Sequence, residues 1–156
     1  MGIPGEVWSP PRVHVDSDIL RYAFDPSEDQ DLRESSRGLF FPRNAKPPVY
    51  CSAPAAGEFL LILAEDTHRE NRPEDYDHAL HKFWEYIHEG DLNIYMFGAN
   101  PTTAHRYARD IHANDPLITP TDAAIIGCFI SDNAAQTLYT TDTDIILSKV
   151  VIDMAR

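Results

Sequence analysis

Asp16, Glu58, Asp122 and Asp142 are the residues whose types and settings could do chemistry. Asp16 closes a short segment of alternating apolar residues, Arg12 to Asp16 (RVHVD), and Asp142 follows another, Thr137 to Thr140. Asp122 stands in the first turn of an apolar segment opened by Thr119-Pro120. Glu58 lies inside a nearly all-apolar segment, between Ala56-Gly57 and Phe59-Leu60-Leu61. An ionised carboxylate in that setting is costly unless it is paired or metal-bound. Two carboxylates about 4 Å apart repel by roughly 1 to 4 kcal/mol, depending on the local dielectric. Four in one place would force some to protonate, and a divalent cation removes the conflict. All-oxygen ligands favour Mg2+ or Mn2+ over zinc. Such ions turn a water into a nucleophile and hold the leaving oxygen of a phosphodiester.

Each acid also has a plainer reading. Asp16 could cap the helix that follows it, as could Asp142 and Asp144 for theirs. Asp122 with Thr119 fits the Ser/Thr-x-x-Asp/Glu capping pattern. Glu58 could reach solvent or pair with an arginine. What favours a site is that all four converge on one edge of the fold the sequence predicts.

That fold follows from the elements. Arg12 to Asp16 reads as a strand, and Ser17 starts a helix that Asp25-Pro26 ends, because the residue before proline avoids the helical region. A short helix is expected around Asp29 to Leu39, then a polar, proline-punctuated loop to Pro48. Val49 to Cys51 reads as extended. Ser52 or Ala53 caps a helix with Pro54 in its first turn, running to about Glu65, apolar almost all round and therefore buried. Pro73 opens another helix, with Tyr76, Leu80, Phe83, Trp84 and Ile87 at helical spacing. Leu92 to Phe97 reads as a strand, and Asn100-Pro101 begins a helix with Ala104, Tyr107, Ala108 and Ile111 on one face. The helix from Asp122 to Ile130, a strand from Thr137 to Thr140, a short helix from Thr143 to Ser148 and a last strand from Val150 to Ile152 complete the chain. Strands separated by helices predict an α/β fold, a three-layer α/β/α sandwich around a central, mainly parallel sheet. In such sheets the working crevice lies beyond the carboxyl ends of the strands, where Asp16 and Asp142 fall.

The 156 residues fit one domain, with residues 1–11 as a Pro- and Gly-rich arm, Trp8 packing back on the body, and 12–156 as the domain. With a hydrophobic fraction of 43%, an ordinary core is expected rather than disorder. No apolar run approaches the roughly 20 residues of a membrane helix, and the N-terminus lacks the basic start and apolar stretch of a secretory signal. Cys51 and Cys128 read as small core residues rather than a disulfide framework, and a cytoplasmic protein is expected. The net charge of -12 rests on an acid excess with only three lysines, the pattern of a surface suited to high salt. It tells against simple electrostatic capture of nucleic acid, which normally uses Lys and Arg at the phosphates.

Four blocks in order resemble the PIN-domain family. Val15-Asp16-Ser17-Asp18-Ile19-Leu20 is similar to its opening Asp-Thr/Ser-Asn-hydrophobic block. Cys51 to Leu60 (CSAPAAGEFL) resembles the segment carrying its glutamate, and Thr121 to Ile126 (TDAAII) its Asp-Ala-hydrophobic helix start. Leu138 to Asp144 (LYTTDTD) resembles its hydrophobic-Thr-x-Asp-x-Asp/Asn block. The resemblance spans about Val13 to Ile152. It implies a metal-dependent endoribonuclease, often the toxin of a toxin–antitoxin pair and often a homodimer. It implies that Asp16, Glu58, Asp122 and Asp142 ligate Mg2+ or Mn2+, with Asp144 as an outer member and Ser17 and Thr140 holding the ligands by hydrogen bonds. Asp18 departs from the family, which commonly has Asn there; it either strengthens the metal site or faces solvent.

Other candidates carry less. His78, His81 and His88 lack a third ligand at zinc-like spacing and read as a polar helix face. His14 reads as a packed or edge residue, with a phosphate contact as the alternative. Arg33, Arg37, Arg43 and Lys46 form the one locally basic run, which either balances Asp29, Asp31 and Glu34 or meets RNA or an acidic antitoxin segment. The leading expectation is metal-assisted hydrolysis of RNA. A catalytically idle PIN fold that binds a protein or RNA partner is the alternative, and a metal-dependent phosphatase is the third.

Overall fold

The computed structural model describes residues 11–40, 48–96 and 101–154. The first ten residues of the arm, Trp8 among them, and Arg43, Lys46, Phe97 and Asn100 lie outside the described residues. Along the chain come β1 (Arg12–Val15), α1 (Ser17–Phe24), α2 (Gln30–Arg37), β2 (Val49–Ser52), α3 (Ala53–Arg69), α4 (Pro73–Glu89), β3 (Asn93–Tyr95), α5 (Pro101–Asn114), α6 (Pro120–Ser131), β4 (Ala135–Tyr139), α7 (Thr143–Ile146) and α8 (Lys149–Met154).

The four strands pair in parallel in the order β3-β2-β1-β4. The chain steps outward from β1 through β2 to β3, then returns to place β4 on the other side of β1. The switch of direction therefore falls between β1 and β4, where open parallel sheets form their crevice. Strand β1 is covered on both sides, as parallel strands usually are. Val15 joins the core with Val49 and Cys51, while His14 points the other way and faces its cross-strand partner Tyr50.

Helices α1 to α4 supply the larger core. Leu20, Phe24, Phe59, Leu63 and Phe83 are almost fully buried in it. Phe24 sits at its centre, with ring centroids 5.1 Å from Tyr86, 5.8 Å from Phe83 and 6.1 Å from Phe59. Helices α5 and α6 cover the His14 side with Ile111, Ile118, Ala123 and Ile126, extended by Tyr95, Ala104 and Cys128. A Cβ at Gly127 would stand 2.6 Å from the backbone oxygen of Ala104, so only glycine lets α6 lie this close to α5. The result is the expected three-layer α/β/α sandwich with an all-parallel sheet.

Two expectations fail. The β-branched run Val150 to Ile152 is not a strand but part of α8. Val150, Val151 and Met154 share one helix face and pack on Ile145 and its neighbours, and the Ser148 hydroxyl accepts the Val151 amide at the helix start. Tertiary burial here overrides strand propensity. Helix α3 runs on to Arg69 and is not buried all round: Leu61 is 60% exposed. On α4 it is Ala79 and Phe83 that are buried, while Trp84 is 48% exposed.

Candidate functional site

The carboxyl edge of β1 delivers Asp16. Its amide donates to the carbonyl of Tyr139 (2.9 Å), the last rung between β1 and β4, so its backbone is fixed to the sheet. Its carboxylate accepts the Ser17 amide (2.7 Å) as the cap of α1. The other oxygen accepts the Thr140 hydroxyl (2.7 Å). Capping and site are thus not alternatives for this residue. Ser52, ending β2, caps α3 and sets the phase that brings Glu58 back over the same edge, where it accepts a short hydrogen bond from the Ser17 hydroxyl. Thr119 caps α6 by accepting the Asp122 amide (3.1 Å), and the turn before it lifts the helix start to this edge.

Asp16, Glu58 and Asp122 each offer a carboxylate oxygen, and these oxygens lie within 4.8 Å of one another. They line a cleft of about 260 Å³ together with Ser17, Asp18, Arg21, Thr119 and Asp142. Asp142 faces the cleft but stands outside the group of three. Its amide donates to the Thr140 hydroxyl oxygen (3.0 Å), so Thr140 ties it to Asp16. Asp18 lines the cleft too, with its carboxylate committed to the amides of Ile19 and Thr141 (both 2.7 Å) and the Thr141 hydroxyl. Its charge therefore adds to the site while its oxygens stitch α1 to the segment after β4. Asp144 is exposed and not among the cleft residues; its amide donates to the Asp142 carboxylate (2.8 Å) to start α7. The outer role expected of it is not visible in its position.

The electrostatics follow from burial without a cation. Asp16 is 2% exposed, and its carboxyl is pushed up to about 6. Burial is the main cause, and the charges of Asp18 and Asp122 add to it against the hydrogen bond from Thr140. Asp122 is also raised, by burial first and then by Glu58, Asp142 and Asp18. Hard oxygen donors at shared-ion distance, two of them with disfavoured charge, suit a hard divalent cation, which would relieve both. The residues present therefore fit Mg2+ or Mn2+.

The remaining candidates settle elsewhere. His14 is buried among Tyr50, Tyr95 and Phe129, its Nε2 2.9 Å from Asp132. Burial lowers its pKa despite the raising effect of Asp132, so it is a packed residue turned away from the cleft. His78, His81 and His88 are exposed on α4. Arg33 and Arg37 donate to the backbone carbonyls of Pro26 (3.1 Å) and Ala23 (2.7 Å), binding α2 to α1. Cys51 and Cys128 are buried and unpaired.

Arg21 escaped the sequence reading. It is one helical turn beyond Asp18 on α1 and is the one cation among the cleft residues. The pattern did hold a signal: residues three and four beyond Ser17 and Asp18 share their helix face. The chain matches no protein-family model and no curated protein.

Proposed function

We propose that the protein is a metal-dependent endoribonuclease of the PIN-domain kind, using Mg2+ or Mn2+ to hydrolyse RNA phosphodiester bonds. The observation that supports this most is the meeting of Asp16, Glu58 and Asp122, brought from three elements to one cleft at the switch point of the sheet. Those three would hold the ion. When bound, a divalent cation supplies an acidified water and offsets the charge of the phosphate under attack. Thr140 fixes the carboxylate plane of Asp16, and Ser17 fixes Glu58, so neither ligand needs to reorganise. Two cleft acids stand outside the three; Asp18 has its carboxylate taken up by the Ile19 and Thr141 amides, so Asp142 would be the one to take a proton at a carboxylate oxygen as water attacks. An antitoxin partner and a homodimer belong to the same proposal and come from the resemblance alone; a cytoplasmic setting belongs to it too and comes from the reading of Cys51 and Cys128 as core residues.

The test is cleavage of defined single-stranded RNAs with Mn2+ and with EDTA. We expect cleavage that EDTA stops and that Asp16→Asn reduces by roughly 10² to 10³-fold, the scale of removing one preorganised charge contact. Undiminished cleavage by Asp16→Asn would refute the proposal. A Mn2+ melting shift that needs Asp16, with no RNA cleaved but RNA still bound, would instead support the idle binding fold.

A further inference from the structure

We infer that Arg21 is the phosphate anchor of this cleft: its guanidinium takes a phosphodiester group of the RNA beside the carboxylates. The inference rests on the proposed ribonuclease reading and adds to it the residue that admits a polyanion. Five cleft acids and a net charge of -12 repel RNA, and among the described residues the cleft holds one compensating side chain. Arg21 Nε is shielded from solvent and has no hydrogen-bond partner among the described residues. A buried guanidinium nitrogen without a partner is expensive to keep. Its nearest carboxylate, Glu28 Oε1, lies 3.6 Å away, an ion pair but longer than a hydrogen bond. The guanidinium also lies 5.3 Å from the Tyr22 ring centre, and the Tyr22 hydroxyl is 3.2 Å from that of Thr141, which in turn binds Asp18. Arg21 thus lines the cleft with a donor to spare, one helical turn beyond Asp18. A planar fork of N–H donors matches phosphate oxygens in a way an ammonium does not.

The plain alternative is a brace, in which Arg21 serves only to hold Glu28 and the loop after α1. The two make opposite predictions for Glu28→Gln. With a short single-stranded RNA and Mn2+, Arg21→Ala should raise KM about tenfold, the scale of one charge-assisted contact, while kcat changes little. It should also shift the slope of log affinity against log salt by about one, the mark of one lost phosphate contact. Arg21→Lys should recover part of the loss. Glu28→Gln should leave KM unchanged or lower it, and the Mn2+ melting shift should persist in every variant. An unchanged KM in Arg21→Ala would overturn the inference, as would a Glu28→Gln variant that copies it. If the parent does not cleave, the ribonuclease reading falls, and Arg21 is then judged by fluorescence anisotropy of the same RNA. Binding weakened by Arg21→Ala would keep the anchor, and binding unaffected by it, or absent in the parent, would remove it.

Discussion

Helix α1 begins and ends on a buried aspartate, and the two are opposites. Asp16 at its start is 2% exposed and Asp25 at its end 3%. Asp25 has its cation built in: Arg72 donates to it at 3.1 Å, with the Ser27 amide and hydroxyl each at 2.9 Å. Burial alone would raise its pKa, but these donors outweigh it and hold the carboxyl below its ordinary range. Asp16 is as deeply buried, accepts two hydrogen bonds, neither from a cation, and lies within shared-ion distance of two further acids. The contrast separates a carboxylate paired with a cation of its own fold from one that is not. Buried charge is tolerated at both, but only one end holds its own counter-charge.

The contrast can be broken first at Asp25. Arg72→Met should leave that carboxylate buried without its cation and cost about 3 kcal/mol. Urea unfolding reads the loss, and a cost well under 1 kcal/mol would mean that Asp25 does not depend on Arg72.

The two aspartates should also titrate in opposite directions. The folded pKa of Asp16 is raised from 3.8 to about 6, so its share of stability is complete below 3.8 and is lost as pH rises through about 6. That loss is at most about 3 kcal/mol. The folded pKa of Asp25 is lowered, so its share is present above its ordinary value of 3.8 and is lost on acidification. In EDTA, the parent should therefore lose stability between about pH 4 and pH 6 relative to Asp16→Asn, and Mn2+ should restore it at neutral pH. Parallel stability curves for the two proteins would show that Asp16 carries no such strain.

The smallest expected effect sharpens the Asp16 side alone. Thr140→Val removes the hydroxyl that both donates to Asp16 and accepts the Asp142 amide. We expect cleavage to fall by about tenfold, the lower range for a hydrogen-bond partner of a metal ligand. Because that bond lowers the Asp16 pKa, the activity profile should move to higher pH, and Thr140→Ser should restore both. A profile that stays in place would confine Thr140 to packing.

Much of this was legible beforehand, for identifiable reasons. Strand ends are marked by where alternation stops, so the positions of Asp16 and Asp142 could be read. Helix starts are marked by caps, so Ser52 and Thr119 placed Glu58 and Asp122 within a turn. Val150 to Ile152 misled because three β-branched residues suit a strand and a packed helix face equally until a partner surface is known. The burial expected all round α3 fails at Leu61 because an apolar residue does not reveal whether another layer covers it. Arg21 was invisible because its importance lies in what surrounds it in space, acids from α3, α6 and the segment after β4. Asp144 shows the reverse limit: a fitting residue type in a fitting block, with a position that leaves it on the surface.

The close seating of α6 on α5 has a mechanical consequence. At Gly127 the two backbones are in direct contact, with no side chain between them to yield. Asp122 rides at the free end of that welded pair. A displacement of α5 would therefore reach the cleft as a shift of Asp122 relative to Asp16, whose own backbone is anchored in the sheet. The outer helix would then act as a lever arm on the spacing of the acids.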